Sequence, residues 1–506
     1  MASATAVDSY SLGSLTIDKL SDDVLLCIFD SYRRISEKIN GSWPWHALVH
    51  TCRRWRNLVF ERPGHLNLRL VCNSKTDVKA ALDIWPALPI AIHATFKHGV
   101  DEDDTIGVLE DRDRTVGITL RDLNQSKLEK CLGLMQKPFP VLTSLDLHTE
   151  NDKVAHINTE AFLGGSAPRL KRVSLIGIRF SALPTLLSSA SELVDLHIGY
   201  SRQEHISPEA MSTCLSSLTR LQSLSIGFEW SPEFTYPRSQ HPPPSTLAPT
   251  VLPALTKLSL GGPHEYLEDL LTRLDTPLLE KGNLSWYDVP DFDNPHVSQF
   301  IHRTGMFNSP SVVDVYIRKA PYLQLLSDSS ISPEKEFIMS FSSSDSRLYT
   351  EVSLMEEFFA GCPPLLSHIE QLKLSGSLEG WYMRPHTAPW LEFLQPFTAV
   401  QTLHLSGKAM ILGVSRTLGE LEKERATEVL PALHTLWLEW PPREVSKAAR
   451  LVEPFIVARK HSENPVVVER ESDSDPSDAD SSDADSSDAG PSDALKIALL
   501  SYLLRR

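Results

Sequence analysis

Residue types that could carry chemistry are plentiful in this chain, but they are not spaced for catalysis. The 18 histidines are scattered. There is no His-Glu-x-x-His helix, no Gly-x-Ser-x-Gly elbow and no glycine-rich phosphate loop. Neither a metal-activated water, an activated serine nor a nucleotide cradle is therefore predicted. Acids abound, yet the sequence marks out no pair as a proton-transfer couple. Six cysteines (Cys27, Cys52, Cys72, Cys131, Cys214 and Cys362) lie far apart without Cys-x-x-Cys spacing. They read as reduced, partly buried thiols. The expectation is a protein that is not an enzyme, with no catalytic residue, cofactor or metal.

What the spacing does suit is recognition. A phrase of the form apolar-x-x-apolar-x-apolar recurs, and its last two apolar residues bracket one residue each time. Those bracketed residues are Asp146, Ser174, His197, Ser225, Ser259, Tyr316, Lys373, His404 and Trp437. If the phrases stack as parallel strands, this row lines one exposed face. Its mixed polarity suits a protein surface, with Tyr316, Lys373, His404 and Trp437 as the expected target-binding residues.

The elements that must position this row follow from the phrase itself. Copies begin at Leu142, Leu170, Leu193, Leu221, Leu255, Val312, Ile369, Val400 and Leu433, with a poorer one at Leu279 that has Gly282 in its second slot. Alternation predicts a short strand with one buried side. Several copies carry proline two residues ahead (Pro140, Pro168, Pro253, Pro277, Pro310, Pro431), which halts the preceding segment and favours extended backbone. Helices are predicted between strands, as at 265–274 and 418–430. The long gap between Val312 and Ile369 predicts a further strand at 336–341. Phrases at 66–72, 89–95 and 116–120 extend the sheet toward the N-terminus. The pattern resembles a leucine-rich repeat. It departs from the standard form because Glu150, Ile178, Ser201, Glu229 and Pro263 stand where an asparagine or cysteine usually follows the strand. Without that side-chain ladder, loose spacing is expected.

Ahead of the repeats, residues 20–62 read as a helical unit. Ser21 is a good N-cap, and Asp22 and Asp23 suit the first turn. Val24, Leu25, Ile28, Phe29 and Tyr32 make one apolar face. Pro44 opens a second helical region, with Ala47, Leu48, Cys52 and Trp55 on one side and Arg53, Arg54 and Arg56 beside them; Pro63-Gly64 ends it. So few residues cannot bury a core alone, so the solenoid, another protein or both must complete these faces.

LTIDKLSDDVLLCIFDSY followed by ALVHTCRRWRNLVFERP resembles an F-box. Ser21 replaces the usual proline, Asp23 the commoner glutamate, and the stretch 33–44 is longer than the usual loop. With LNLRLVC and DIWPALPI downstream, the chain is similar to F-box proteins of mushroom-forming fungi. The resemblance implies docking onto the linker subunit of a cullin-RING ubiquitin ligase through Leu20, Val24, Leu25, Ile28, Phe29, Leu48, Val49 and Trp55, which it does not divide between interface and core. It implies a substrate-recognition adaptor whose solenoid binds a protein target. The alternative is a ligase-independent scaffold in which the helices only cap the repeats.

The expected organisation is an α/β chain. It has a disordered start (1–14), the F-box helical module (15–64), an irregular leucine-rich solenoid with a parallel sheet (65–470), a disordered acidic tract (471–494) and a short apolar end (495–506). The acidic tract holds eight Asp and one Glu with no Lys or Arg. The stretch 232–250 is a proline-rich surface loop. A formal net charge of −16 argues against nucleic acid as a partner. Neither a secretory leader nor a membrane span is read, so cytoplasm or nucleus is expected.

Overall fold

The computed structural model describes residues 17–40, 45–61, 70–72, 88–96, 106–149, 155–157, 161–180, 183–200, 206–228, 248–287, 295–304, 311–317, 322–326, 335–342, 366, 368–376, 390–421, 425–439, 442–460, 462 and 464–470. The stretches 1–14, 471–494 and 495–506, Cys362 and most of 232–250 lie outside the described residues.

Helices come first: α1 (Asp22–Asn40), α2 (Trp45–Val49) and α3 (Arg53–Glu61). Ser21 caps α1 as its sequence predicts, its Oγ accepting the Val24 N–H at 3.4 Å. The expected loop at 33–44 is instead helical through Asn40, because Arg-Arg-Ile-Ser-Glu-Lys holds mostly good helix formers. The expected second helix is broken at Thr51–Cys52. Ala47 and Cys52 therefore end exposed, whereas Leu58 and Val59, which the helical pattern did not single out, are buried.

Among the described residues sixteen strands then build one sheet. In chain order they are β1 (Leu70–Cys72), β2 (Ile90–Thr95), β3 (Thr115–Leu123), β4 (Ser144–Thr149), β5 (Arg172–Ile176), β6 (Asp195–Tyr200), β7 (Ser223–Phe228) and β8 (Lys257–Pro263). They continue with β9 (Lys281–Tyr287), β10 (Val312–Tyr316), β11 (Tyr322–Leu326), β12 (Glu336–Ser342), β13 (Gln371–Ser375), β14 (Thr402–Ser406), β15 (Thr435–Glu439) and β16 (Val467–Arg470). Spatial order follows the chain except in one place, where the run is β9-β12-β11-β10-β13. Pairings from β1 to β15 are parallel, save the two that β11 makes with β10 and β12. The strand expected at 336–341 is β12. The antiparallel β11 was not foreseen, since YLQLL carries no phrase of the repeat.

Parallel neighbours need a crossover, and helices supply most of them. These are α4 (Gln125–Leu134), α5 (Leu183–Ser189), α6 (Pro208–Leu215), α7 (His264–Thr272), α8 (Pro295–Arg303), α9 (Trp390–Leu394), α10 (Lys408–Gly419), α11 (Arg425–Glu428) and α12 (Pro442–Arg459). α7 matches the expected 265–274. Of the helix expected over 418–430 the described residues show α11, and the longer α10 precedes it, because KAMILGVSRTLG buries Met410, Ile411, Val414 and Leu418. The result is a mixed α/β stack with a long, mostly parallel sheet, the architecture of a repeat solenoid. Its buried side chains form one continuous cluster from Leu25 to Val466, so α1–α3 share the core of the sheet.

Two backbone devices recur at the entry to the strands. At the strand starts one carbonyl accepts two successive N–H groups from the next repeat. Thr143 O serves Lys171 and Arg172, Lys171 O serves Val194 and Asp195, and Val194 O serves Gln222 and Ser223. The same pairing recurs at Gln222, Thr256, Ser311, Glu370 and Gln401. Just ahead of most phrases a tight turn closes, as from Leu170 N to Ala167 O or from Leu433 N to Leu430 O. Buried main-chain groups are thus satisfied by other main chain.

Gly282, the irregular slot of the poorer copy, is explained by packing. A Cβ there would land on the Phe337 ring of the adjacent β12. At the C-terminal end Arg459 is 1% exposed, and its guanidinium donates to the carbonyls of Ala426, Leu430, Pro431, Leu433 and Asn464. It ties α12 to the turn that starts β15.

Candidate docking helix and binding face

Helix α1 carries two apolar faces. Leu25, Leu26 and Phe29 are buried, packed with Leu48, Val49, Leu58 and Val59 from α2 and α3. Val24, Ile28 and Tyr32, spaced four apart, form a second stripe that stays 44%, 42% and 40% exposed, with Ile17 48% exposed just ahead of the helix. Side chains at i and i+4 lie one above the other on a helix, so the stripe is continuous. Leu20 and Trp55 are half-buried against the core. The eight residues grouped by sequence thus divide into an outward pair (Val24, Ile28), a core set (Leu25, Phe29, Leu48, Val49) and a flanking pair (Leu20, Trp55).

Polar contacts fix this small unit. Arg54 donates to Asp22 Oδ1 at 2.7 and 3.2 Å and to Leu20 O at 2.6 Å, joining α3 to the start of α1. Arg56 Nε donates to Val49 O at 2.9 Å and closes the end of α2. Two of the three clustered arginines therefore have structural duties.

The second candidate is the solvent-facing row of the sheet. Strand register places Thr119, Asp146, Ser174, His197, Ser225, Ser259, Asn283, Ile338, Gln324, Asp314, Lys373, His404 and Trp437 side by side. Eight of the nine residues expected from sequence stand in it. Tyr316 is corrected: it pairs with Ser375, two residues further along the same face, and Asp314 occupies the row. The reason is phase. Val313, Val315 and Ile317 are all buried, so the alternation offers two equivalent readings.

Around Lys373 the face sinks into a hollow lined by Gln371, Leu372, Lys373, Thr402, His404 and Trp437. Asp314 borders it. Its carboxyl is held above the usual carboxylate range, chiefly by burial, with Lys373 and then His404 acting the other way. Its Oδ1 is buried without a hydrogen-bond donor. On the far side His404 Nε2 lies 3.4 Å from Glu439 Oε2. Further up the row, burial pushes the His197 imidazole below its ordinary value, with Asp146 opposing and His148 adding to the shift. Arg121 pairs with Asp146 at 3.1 Å.

Among the described residues no group of three or more His, Cys, Asp or Glu could hold a metal ion, and no helix is long and apolar enough to cross a membrane. Cys27 and Cys52 are exposed free thiols, while Cys72, Cys131 and Cys214 are buried ones.

No protein-family model matches the chain, and no curated protein matches it. Among solved structures, InlP of Listeria monocytogenes is similar over 49% of this chain and 86% of that one, at 13% identity and a TM-score of 0.21. A likeness that slight carries no argument about function.

Proposed function

We propose that the chain is the substrate-recognition adaptor of an SCF-type cullin-RING ubiquitin ligase: α1–α3 act as an F-box that docks on the linker subunit, and the sheet face holds a protein target. The observation that supports this reading is the exposed stripe of Val24, Ile28 and Tyr32 on a helix whose opposite face is already packed. A soluble surface gains nothing from such a stripe, whereas a helix-in-groove partner uses anchors at this spacing. The adaptor has no chemistry of its own. It raises the local concentration of target near a transfer centre carried by other subunits, in the cytoplasm or nucleus.

The test is co-purification of the full chain with the linker subunit. The adaptor reading expects a stable complex that is lost in the Val24→Asp, Ile28→Asp double variant while the melting curve is kept. Absence of a complex with correctly folded chain removes it. The scaffold reading is favoured by one observation, the continuity of the α1–α3 core with that of the sheet. It expects the double variant to change nothing.

A further inference from the structure

We infer that the hollow over β13, β14 and β15 seats an acidic side chain of a peptide segment, its carboxylate held by Lys373. The polar side chains that line the hollow are Gln371, Lys373, Thr402 and His404, all able to donate, and no carboxylate lines it. Trp437 supplies a flat apolar wall for the methylenes and backbone around an incoming carboxylate.

Lys373 is not neutralised by direct pairing, for it forms no ion pair among the described residues. Its nearest strand partner of opposite charge is Asp314, directly across the β10–β13 pair. The two interact across the pair without a hydrogen bond to Asp314 Oδ1, which has no donor. The ammonium group therefore keeps its donors for an acceptor from outside. His404, approached by Glu439 from the far side at 3.4 Å, is steadied as the neighbouring contact.

Three features select the occupant. A cation would meet Lys373. A phosphate dianion would meet Asp314 and Glu439 at the two borders, and the lining has no arginine fork to offset that repulsion. A monoanionic carboxylate suits the remaining balance. The hollow also opens onto the mostly polar row of the sheet face, which fits a chain segment laid along the sheet. The inference rests on the target-holding half of the proposed function and is independent of docking by α1.

The experiment uses the full chain and fluorescence anisotropy with fluorescein-labelled oligoglutamate, oligoglutamine and oligophosphoserine peptides. Oligoglutamate is expected to bind at least about tenfold more tightly than oligoglutamine, and Lys373→Met to remove that preference. Trp437→Ala is expected to weaken oligoglutamate by a similar factor, and Lys257→Met on the distant β8 to leave it unchanged. Equal binding of the first two peptides, or unchanged affinity in Lys373→Met with its fold verified, overturns the assignment. A preference for oligophosphoserine overturns the carboxylate. Linker binding measured on the same preparations shows whether the adaptor reading fails separately.

Discussion

The rings of Phe29 and Trp55 meet with centroids 4.7 Å apart and planes tilted by 58°. This contact joins α1 to α3 and helps fix which face of α1 turns outward. Burying Phe29 against Trp55 and the core leaves Val24, Ile28 and Tyr32 facing solvent, so this aromatic pair helps set the direction of the exposed stripe.

Stability and docking should therefore separate on one helix. Phe29→Ala is expected to cost about 3–5 kcal/mol, seen as a large fall in denaturation midpoint. Val24→Asp with Ile28→Asp removes two exposed anchors and is expected to leave the midpoint almost unchanged. It should weaken linker binding by about a hundredfold or more, measured by titration calorimetry.

The Gly282–Phe337 contact makes a paired prediction. Gly282→Ala is expected to destabilise by about 1–3 kcal/mol through overpacking against the ring. Phe337→Leu in the same chain should recover part of that loss although each change destabilises alone. A double-mutant cycle in urea unfolding checks the coupling.

Arg459 is the clasp of the last repeat. Arg459→Met removes the guanidinium from five carbonyls, of which Leu430, Pro431 and Asn464 keep another donor, and is expected to cost about 2 kcal/mol or more. Burial lowers the guanidinium's own affinity for its proton, yet it stays charged at any working pH. Hydrogen exchange should show the loss as early opening of α12 and β15, with β4–β7 still protected.

Asp314 should set a pH dependence on the sheet. Its folded-state affinity for a proton exceeds the unfolded one, mainly through burial. Protonation therefore favours the folded state. The contribution is fully present below the unfolded carboxyl value and is lost as pH rises through the higher folded one. Asp314→Asn is expected to raise the melting temperature at neutral pH relative to the parent, and the difference should vanish under acid.

Thiol reactivity should divide the cysteines. Burial pushes the Cys72 and Cys131 thiols up to about 11 and about 12, and raises Cys214 as well. All three stay protonated at pH 8 and enclosed, so iodoacetamide footprinting should label Cys27 and Cys52 in the native chain. Bound linker subunit is expected to slow labelling of Cys27, which sits beside Val24 and Ile28.

The repeated phrase made most of the sheet legible, because Leu145-x-Leu147 and its copies state both a period and a buried side. The row from Asp146 to Trp437 followed from that alternation. Legibility stopped where alternation had no unique phase, and Tyr316 was read for Asp314. It stopped again where pairing ceased to be local: YLQLL gives no sign that it will run antiparallel between β10 and β12. On α1, hydrophobicity could not separate Ile28 from Phe29. Both are large and apolar, and the position of Trp55 helps decide which is covered.

The reversed run of strands bears on how the molecule is made. On a ribosome, β1 to β9 can zip up in order as each emerges. Residues 312–316 then arrive with no finished neighbour, because β11 and β13 flank them and both are synthesised later. β9 keeps a bare edge until residue 342 exists and β12 can return to close it. The nascent chain thus passes through a stage with an open seam in its middle, where a strand from another copy could insert.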